Sequence, residues 1–524
     1  MLKNKGESIK NSSLSLLALS LSAASQVIVQ IVIAYLYGAG IETDAFFVAF
    51  IIPLLLFWAI QNSSKISIVP MFTEILDNEG KETLWQVAGV LLTVSTFFLI
   101  IFATIASFLS PYIISIIAPG LDTKTSLIAA NIFRILSFIV VFAGIIAIWV
   151  SIQNIFSRFF VPAMNNFERT VFVIIVTVIF YKSLGIYAVA MGFLMGGVIQ
   201  CLVLLPGLWK EGYRYRYHFS INDSNVRLFF GLTFLPFLSL IIRQGNTVVD
   251  RILASFLSTG SISALSYSYT IANGFILIVS GGLFAVSLPE FSRYAVRKKI
   301  NEMKDALILN LKVASIITFP LTVLLILLGR PIIRLIYERG AFDSTATELT
   351  SSLLSYYAIG IFFLSVVPVM LGVFYAFKDT VTPFIHLLIV FFTNIVLAFV
   401  LMKLMGIRGL ALALSLAGIF SFVRISYIIK KKIGHVFDRT LFLFWFKTLV
   451  STIVMGIGIW FFIGWFSKEV SYISLIGNIK LVILSLCIGF AVFSISAYIL
   501  KLEGRKFIVR KVYSTLTHLG EISK

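Results

Sequence analysis

Apolar runs of about 20 residues, separated by short polar punctuation, fill the sequence from end to end. About 20 apolar residues make a helix that crosses the 30 Å hydrocarbon core of a bilayer. By that measure the pattern predicts fourteen helices, near 13–37, 45–64, 86–109, 128–152, 168–182, 185–208, 226–257, 262–288, 306–329, 348–376, 380–403, 406–430, 442–466 and 477–500. The seventh is polar in its middle, which marks it as broken or partly interfacial. The expected fold class is an all-α polytopic membrane protein.

The organising stretch is Tyr35 to Pro53, YLYGAGIETDAFFVAFIIP, where one apolar run ends, turns through Gly38 and Gly40, and gives way to the next. Glu42 and Asp44 stand at the re-entry point, where charge is tolerated only at the interface or against a cavity. A weaker echo, SFLSTGSISALSYSY, follows 220 residues later, with Gly260 in the place of Gly40. The punctuation repeats with it. Pro70 pairs with Pro289, Pro111 with Pro331, Pro162 with Pro383 and Gly185 with Gly406, at spacings of 219 to 221 residues. One register held over some 150 residues identifies an internal duplication.

Six helices per copy is an even number, so both copies insert the same way up. The expectation is two six-helix lobes related by a pseudo-twofold axis along the membrane normal, with the substrate path between them. The segments are then 1–215, 216–435, and 436–524, the last holding two appended helices and a basic tail.

Composition agrees with a lipid environment: 59% of the 524 residues are hydrophobic and only 12% are charged, against about 25% charged in soluble domains. The net charge of +19 lies in short clusters between apolar runs. That distribution reads as orientation and anionic-lipid contact rather than a nucleic-acid groove. Lys210, Arg214 and Arg216, then Arg293 to Lys299, Lys430 to Arg439, and Lys501 to Lys511 all fall on one side if the amino terminus is inside. Both termini are therefore expected in the cytoplasm. The run after Lys3, Lys5 and Lys10 exceeds the 7–15 apolar residues of a cleaved signal and is read as a retained first helix. Cys201 and Cys487 lie in separate apolar runs, with no disulfide or zinc spacing.

Ionisable residues inside apolar segments are the candidates for function. The densest set is Arg243, Gln244, Asn246, Asp250 and Arg251 on the seventh helix, where Arg243, Asn246 and Asp250 share one face. That face lines a cavity, or the charges simply neutralise one another. Lys65, in the polar patch QNSSKIS, is a headgroup contact at the cytoplasmic mouth or an interfacial anchor. Asn273 and Gly274, with Tyr267 and Tyr269, form a polar and aromatic stretch on the eighth helix, where Asn273 lines the cavity or the stretch is helix-packing glue. Arg134, Lys312 and Arg424 lie near helix ends, where snorkelling suffices. Asp44 is placed as an N-cap of the second helix, as an outer gate, or as both, with Glu42 beside it.

No G-x-x-x-x-G-K-[ST] motif occurs, so the chain is not its own ATPase. No His/Asp/Ser grouping suggests hydrolysis, and translocation is favoured over catalysis.

GAGIETDAFFVAFIIP followed by VPMF resembles the opening of the MurJ/MviN lipid II flippases, within the multidrug/oligosaccharidyl-lipid/polysaccharide exporter superfamily. VDRILASFLSTGSISALSYS, RLIYERGAFDS, GVFYAFKDTVTPF and GIRGLALALSLAG are similar to later signatures of that family, and the likeness covers roughly residues 10–435. The resemblance implies alternating access by rocking of residues 10–215 against 226–432. The cargo it implies is a polyprenyl-pyrophosphate-linked saccharide carried from the inner to the outer leaflet of the bacterial cytoplasmic membrane. It also implies a cationic cavity. The arginines of that cavity would fall at Ala23, Val29, Phe57 and Trp58, and on the eighth helix near Tyr269 and Thr270, and this chain has none of them. Arg243 and Arg251 are then the expected headgroup charges, and Asp250 the residue that orients them or couples a cation.

No cofactor is expected; Na+, H+ or the membrane potential would drive transport. Cell-envelope synthesis proteins are the expected partners beside the lipid. An ion-coupled amphiphile exporter and a non-transporting scaffold of a cell-envelope synthesis complex are the alternative functions.

Overall fold

The computed structural model describes residues 21–22, 25–220, 223–469 and 474–502, apart from the side chains of Arg243 and of residues 467–469. The amino-terminal lysines, the opening of the first expected span with Ala23, and the tail beyond Leu502 lie outside the described residues. Every described element is a helix or a turn.

The chain divides into two compact units, residues 1–263 and 264–524. The first holds α1 (Ser25–Tyr37), α2 (Ile41–Phe108), α3 (Ser110–Ile117), α4 (Thr123–Leu136), α5 (Ile139–Ile155), α6 (Phe160–Leu184), α7 (Tyr187–Lys210) and α8 (Ser224–Ala254). α9 (Ser261–Val296) begins at the end of the first unit and runs into the second. There it is followed by α10 (Ile300–Leu327), α11 (Gly329–Ile336), α12 (Ser344–Ala376), α13 (Val381–Met405), α14 (Ile407–Ile433), α15 (Arg439–Glu469) and α16 (Leu475–Ile499).

Counting α4 and α5 together as one stretch, eleven helical stretches among the described residues are long and apolar enough to cross a membrane. Three differences separate this from the fourteen expected spans. α2 is a 68-residue element that contains the second and third expected spans, and it changes direction at Gly80, where φ is 85°. Of the first expected span only residues 21–22 and the helix Ser25–Tyr37 are described. α6, the fifth, carries Glu168, Arg169 and Lys182, and begins at Phe160 rather than at 168. α8 is one continuous helix, so the polar middle of the seventh span does not break it.

The duplication is written in the backbone of each unit. α4 and α5 together run from Thr123 to Ile155, and α12 from Ser344 to Ala376; α6 and α13 likewise start and end 221 residues apart. Gly185 closes α6 with φ 55° and ψ −142°, and Gly406 closes α13 with 60° and −137°. Even the strained turns match, since the non-glycine residues Ser157 and Lys378 both take positive φ, 57° and 59°.

Side-chain pairs repeat as well, with altered chemistry. Arg158 pairs with Glu211 at 2.7 Å, and their counterparts Asp379 and Lys432 pair at 3.6 Å with the charges exchanged. Gln200 donates to the Asn165 side chain at 2.7 Å, tying α7 to α6. Their counterparts Ser421 and His386 are joined at 2.9 Å, tying α14 to α13. Arg424 donates to the other ring nitrogen of His386 at 2.7 Å, so Nδ1 accepts and Nε2 carries the proton.

Each unit has its own core. In the first, Phe72, Leu84, Trp85, Leu91 and Ile152 pack where α2 folds against α5. In the second, Phe291, Leu307, Met370, Phe374 and Ile425 join α9, α10, α12 and α14. α15 and α16 form a smaller cluster with α10 and α11 through Leu328, Met455, Ile459 and Leu481. Asn478 fastens α16 by donating to the Pro331 carbonyl at 2.9 Å. Large apolar side chains such as Phe108, Ile116 and Phe490 stand exposed, the condition of helices whose solvent is lipid.

Candidate functional site

Two polar constellations occupy the first unit. One is a knot of turns. At the start of α2, Gly40 N–H donates to Thr43 Oγ1 at 2.9 Å and the Thr43 hydroxyl donates to the Gly40 carbonyl at 3.1 Å, so α2 is capped from within. Asp44, one position further on, is too far along to cap its own helix. It caps another. Its carboxylate accepts from Gly260 N–H at 2.6 Å and from Ser263 N–H at 2.7 Å, the first backbone donors of α9.

The expectation that Asp44 caps the second helix is thereby corrected: it caps the eighth. Gly260 occupies the N-cap position of α9 and has no side chain to do so, and an aspartate 216 residues away supplies the acceptor. At φ 87°, and with Ala39 O only 3.0 Å from where a Cβ would lie, Gly260 leaves no room for a capping side chain of its own. The negative carboxylate also meets the positive end of the helix dipole. Ser263 Oγ reaches both Asp44 and Thr43 Oγ1, the latter at 2.8 Å. Thr43 and Ser263 are themselves counterparts in the duplication. Two further contacts tighten the knot. Arg251 donates to the Ile262 carbonyl at 3.0 Å, and Ser255 Oγ accepts from Gly120 N–H at 3.1 Å. Turns α1–α2, α3–α4 and α8–α9 thus meet at one end of the unit. Glu42 stands exposed beside them.

The second constellation lies inside the helices. Arg169 on α6 is 6% exposed, and its guanidinium lies 4.9 Å from the ring centroid of Phe57 and 6.0 Å from that of Phe193. Its Nε and Nη1 have no hydrogen-bond partner, and no ion pair engages it among the described residues. Stacking on rings returns about 2 kcal/mol when desolvated, less than the several kcal/mol that burying an ion costs. Gln61, one turn beyond Phe57 on α2, is equally buried, and its Nε2 is also without a partner. Lys65, a turn further on, is half-buried and forms no ion pair among the described residues. Between α2, α5 and α8 a cavity of about 290 Å³ opens, with Ser63, Ser64, Ser95 and Thr233 set among phenylalanines.

The remaining sequence candidates are distributed as follows. Asn246 and Asp250 lie on α8, half-buried and buried respectively, each with an Oδ1 that has no hydrogen-bond partner among the described residues. Arg243 lies on the same helix, with its side chain outside the described residues. Arg251 is at the knot. Asn273 is half-buried on α9 in the second unit. Tyr267 is fully buried against Tyr337 and Phe342, at 5.0 and 5.5 Å, and is core. Arg134 bonds Ser110 and Asn131 near its helix end.

Arg169 went unnoticed in the sequence because a span opening at 168 leaves it at the edge. The signal was present eight residues upstream, in the aromatic start FFVPAMNNF, which carries the helix back to Phe160. Among the described residues no group of three or more His, Cys, Asp and Glu side chains is gathered to hold a metal.

The family described as lipid II flippase MurJ matches residues 33–480 of this chain. The chain belongs to that family. Lipid II flippase MurJ of Thermosipho africanus is 32% identical over 407 residues, 76% of this chain and 81% of that one. The probable lipid II flippase MurJ of Thermotoga maritima is 27% identical over 481 residues, 92% of this chain and 94% of that one. A solved structure of lipid II flippase MurJ in an inward closed conformation superposes with a TM-score of 0.77, at 28% identity, over 95% of this chain and all of that one. An inward-facing MATE transporter of the MOP superfamily shares the fold, with a TM-score of 0.67 at 12% identity over 82% of this chain and 98% of that one. As a MurJ family member the chain is a multi-pass membrane protein, and the all-α architecture read from its apolar pattern stands.

Proposed function

We propose that this chain flips lipid II, a polyprenyl-pyrophosphate-linked saccharide, from the inner to the outer leaflet of the bacterial cytoplasmic membrane, with both termini in the cytoplasm. The observation that carries the reading is the family match across residues 33–480. It acts by transport rather than by bond chemistry, in alternating access between the repeat halves 1–215 and 216–435. Cell-envelope synthesis enzymes supply the lipid on one side and consume it on the other.

In this reading the knot around Asp44 is the outer gate, with Glu42 at its rim. Lys65 and the α8 face of Arg243, Asn246 and Asp250 line the path of the headgroup in the first unit, with Arg251 adjoining it, and Asn273 is a headgroup contact of the second unit. Asp250, buried with an oxygen that has no hydrogen-bond partner among the described residues, suits the coupling of a Na+ or H+. Supporting the polar path is its cost, since buried polar groups without partners are retained against their desolvation penalty.

The test is growth of bacteria depleted of their own lipid II flippase. Expression of this chain restores growth if the reading holds. Failure with the protein folded in the membrane would refute lipid II as cargo.

A further inference from the structure

The duplication provides an internal comparison for Arg169. At the 221-residue spacing that relates α6 to α13, its counterpart is Val390. The flanking positions keep their roles in both copies, Asn165 with Gln200 on one side and His386 with Ser421 on the other. The same pair of helices therefore packs in each unit, once around an arginine and once around a valine. Lys65 behaves alike, falling opposite Phe284 or Ala285 at spacings of 219 or 220. The packing of the fold does not require these cations. Their presence in the first unit alone needs another explanation.

The local chemistry narrows it. The rings of Phe57 and Phe193 lie 4.9 and 6.0 Å from the guanidinium carbon, and neither ring offers its N–H groups an oxygen acceptor. Among the described residues Nε and Nη1 lack acceptors, and so does the Gln61 amide nitrogen one turn along α2. Glu168 is adjacent in sequence but projects about 100° away around a helix of 3.6 residues per turn, and no ion pair joins it to Arg169 among the described residues. Three unsatisfied donors and a full positive charge call for an anionic, oxygen-rich acceptor. A planar guanidinium fork matches phosphoryl oxygens best.

We infer that Arg169, with Gln61, forms a phosphoryl-binding subsite inside the first unit, which takes a phosphoryl group of the polyprenyl-linked cargo. The inference rests on the transport reading above. Arg169 donates through its open edges and Gln61 adds a neutral donor. The aromatic pair keeps the fork oriented between loading events.

The test uses the purified full-length chain in lipid nanodiscs, titrated with undecaprenyl pyrophosphate and with undecaprenol, followed by native mass spectrometry. Arg169→Met is expected to weaken undecaprenyl pyrophosphate binding at least ~10-fold, the worth of a charged hydrogen bond, while undecaprenol binding stays unchanged. Its melting temperature should hold or rise, because an uncompensated buried charge is removed. Arg169→Lys should keep part of the affinity, and Gln61→Leu should lose a smaller part. Unchanged pyrophosphate binding in Arg169→Met, or equal loss for undecaprenol, would overturn the subsite. Arg169-dependent binding of inorganic pyrophosphate alone, as tight as that of the lipid, would make a free phosphate the ligand and overturn the lipid assignment. The two readings fail separately. Arg169-dependent binding without flipping in cells leaves the subsite and removes the flippase. Equal flipping by wild type and Arg169→Met does the reverse.

Discussion

Asp44 accepts from the backbone N–H of Ser263 at 2.7 Å, so the first turn of α2 holds the first turn of α9. A carboxylate 3% exposed and met by backbone donors is a committed interaction. Asp44→Ala leaves the α9 amino end uncapped and buried. The expected loss is about 2–4 kcal/mol, from the cost of orphaned donors and a lost charged cap. Asp44→Asn should lose less, since its amide oxygen still accepts. Melting curves in detergent check this; equal curves for wild type and Asp44→Ala would show that the knot carries no stability.

Gate function is separable from stability at the same knot. If it is the outer gate, Gly260→Ala should favour outward opening, because a Cβ there would meet Ala39 O at 3.0 Å and strain a φ of 87°. The check is labelling of a cysteine placed at Ser63 in the hydroxyl-lined cavity, by a membrane-impermeant thiol reagent added from outside. The expected result is faster labelling in Gly260→Ala; an unchanged rate contradicts the gate.

The exchanged ion pairs predict a reversal experiment. Arg158→Glu sets like charges against Glu211 and is expected to cost about 0.5–1 kcal/mol, the range for partly exposed pairs. Adding Glu211→Arg should restore most of it, because the second unit already uses the opposite polarity at Asp379 and Lys432. A double variant no more stable than the single one would show that the pair is idle. Lys81, 3.5 Å from Glu211, sets a ceiling on the recovery.

Acid sensitivity should arise in the turns. Asp379 is held below the usual aspartate range by the backbone N–H of Thr382, the Thr382 hydroxyl and Lys432, and Asp438 by Thr440 and the backbone N–H of Leu441. A carboxylate whose pKa is lower folded than unfolded stabilises the fold above the unfolded value, ~3.9 for aspartate, and loses that contribution as pH falls through the folded value. Melting temperature should therefore be flat in these groups from pH 7 to about 5 and fall below about 4. Asp379→Asn should flatten part of that fall; an unaltered acid limb would refute the assignment.

The fold was legible because lipid imposes a coarse code. Apolar length marks spans, and a duplicated register of Pro and Gly survives where side chains have diverged. Gly185 and Gly406 were readable as partners because both must take positive φ. Asp44 was visible as a charged residue at a turn but its partner was not, since the donors it meets are backbone N–H groups without a sequence signature. Arg169 was hidden by a boundary eight residues out. Its guanidinium lies over Phe57, a position where the family resemblance leads one to look for arginine. A scan for charges along each helix finds such a residue only once the helix ends are known.

The most direct measurement is the amount of lipid II exposed on the outer leaflet of bacteria depleted of their own flippase and expressing this chain. The account predicts that exposure returns to near the undepleted level, and that it does so less well with Arg169→Met. Lipid II remaining on the inner leaflet, with the protein folded and in the membrane, would contradict it.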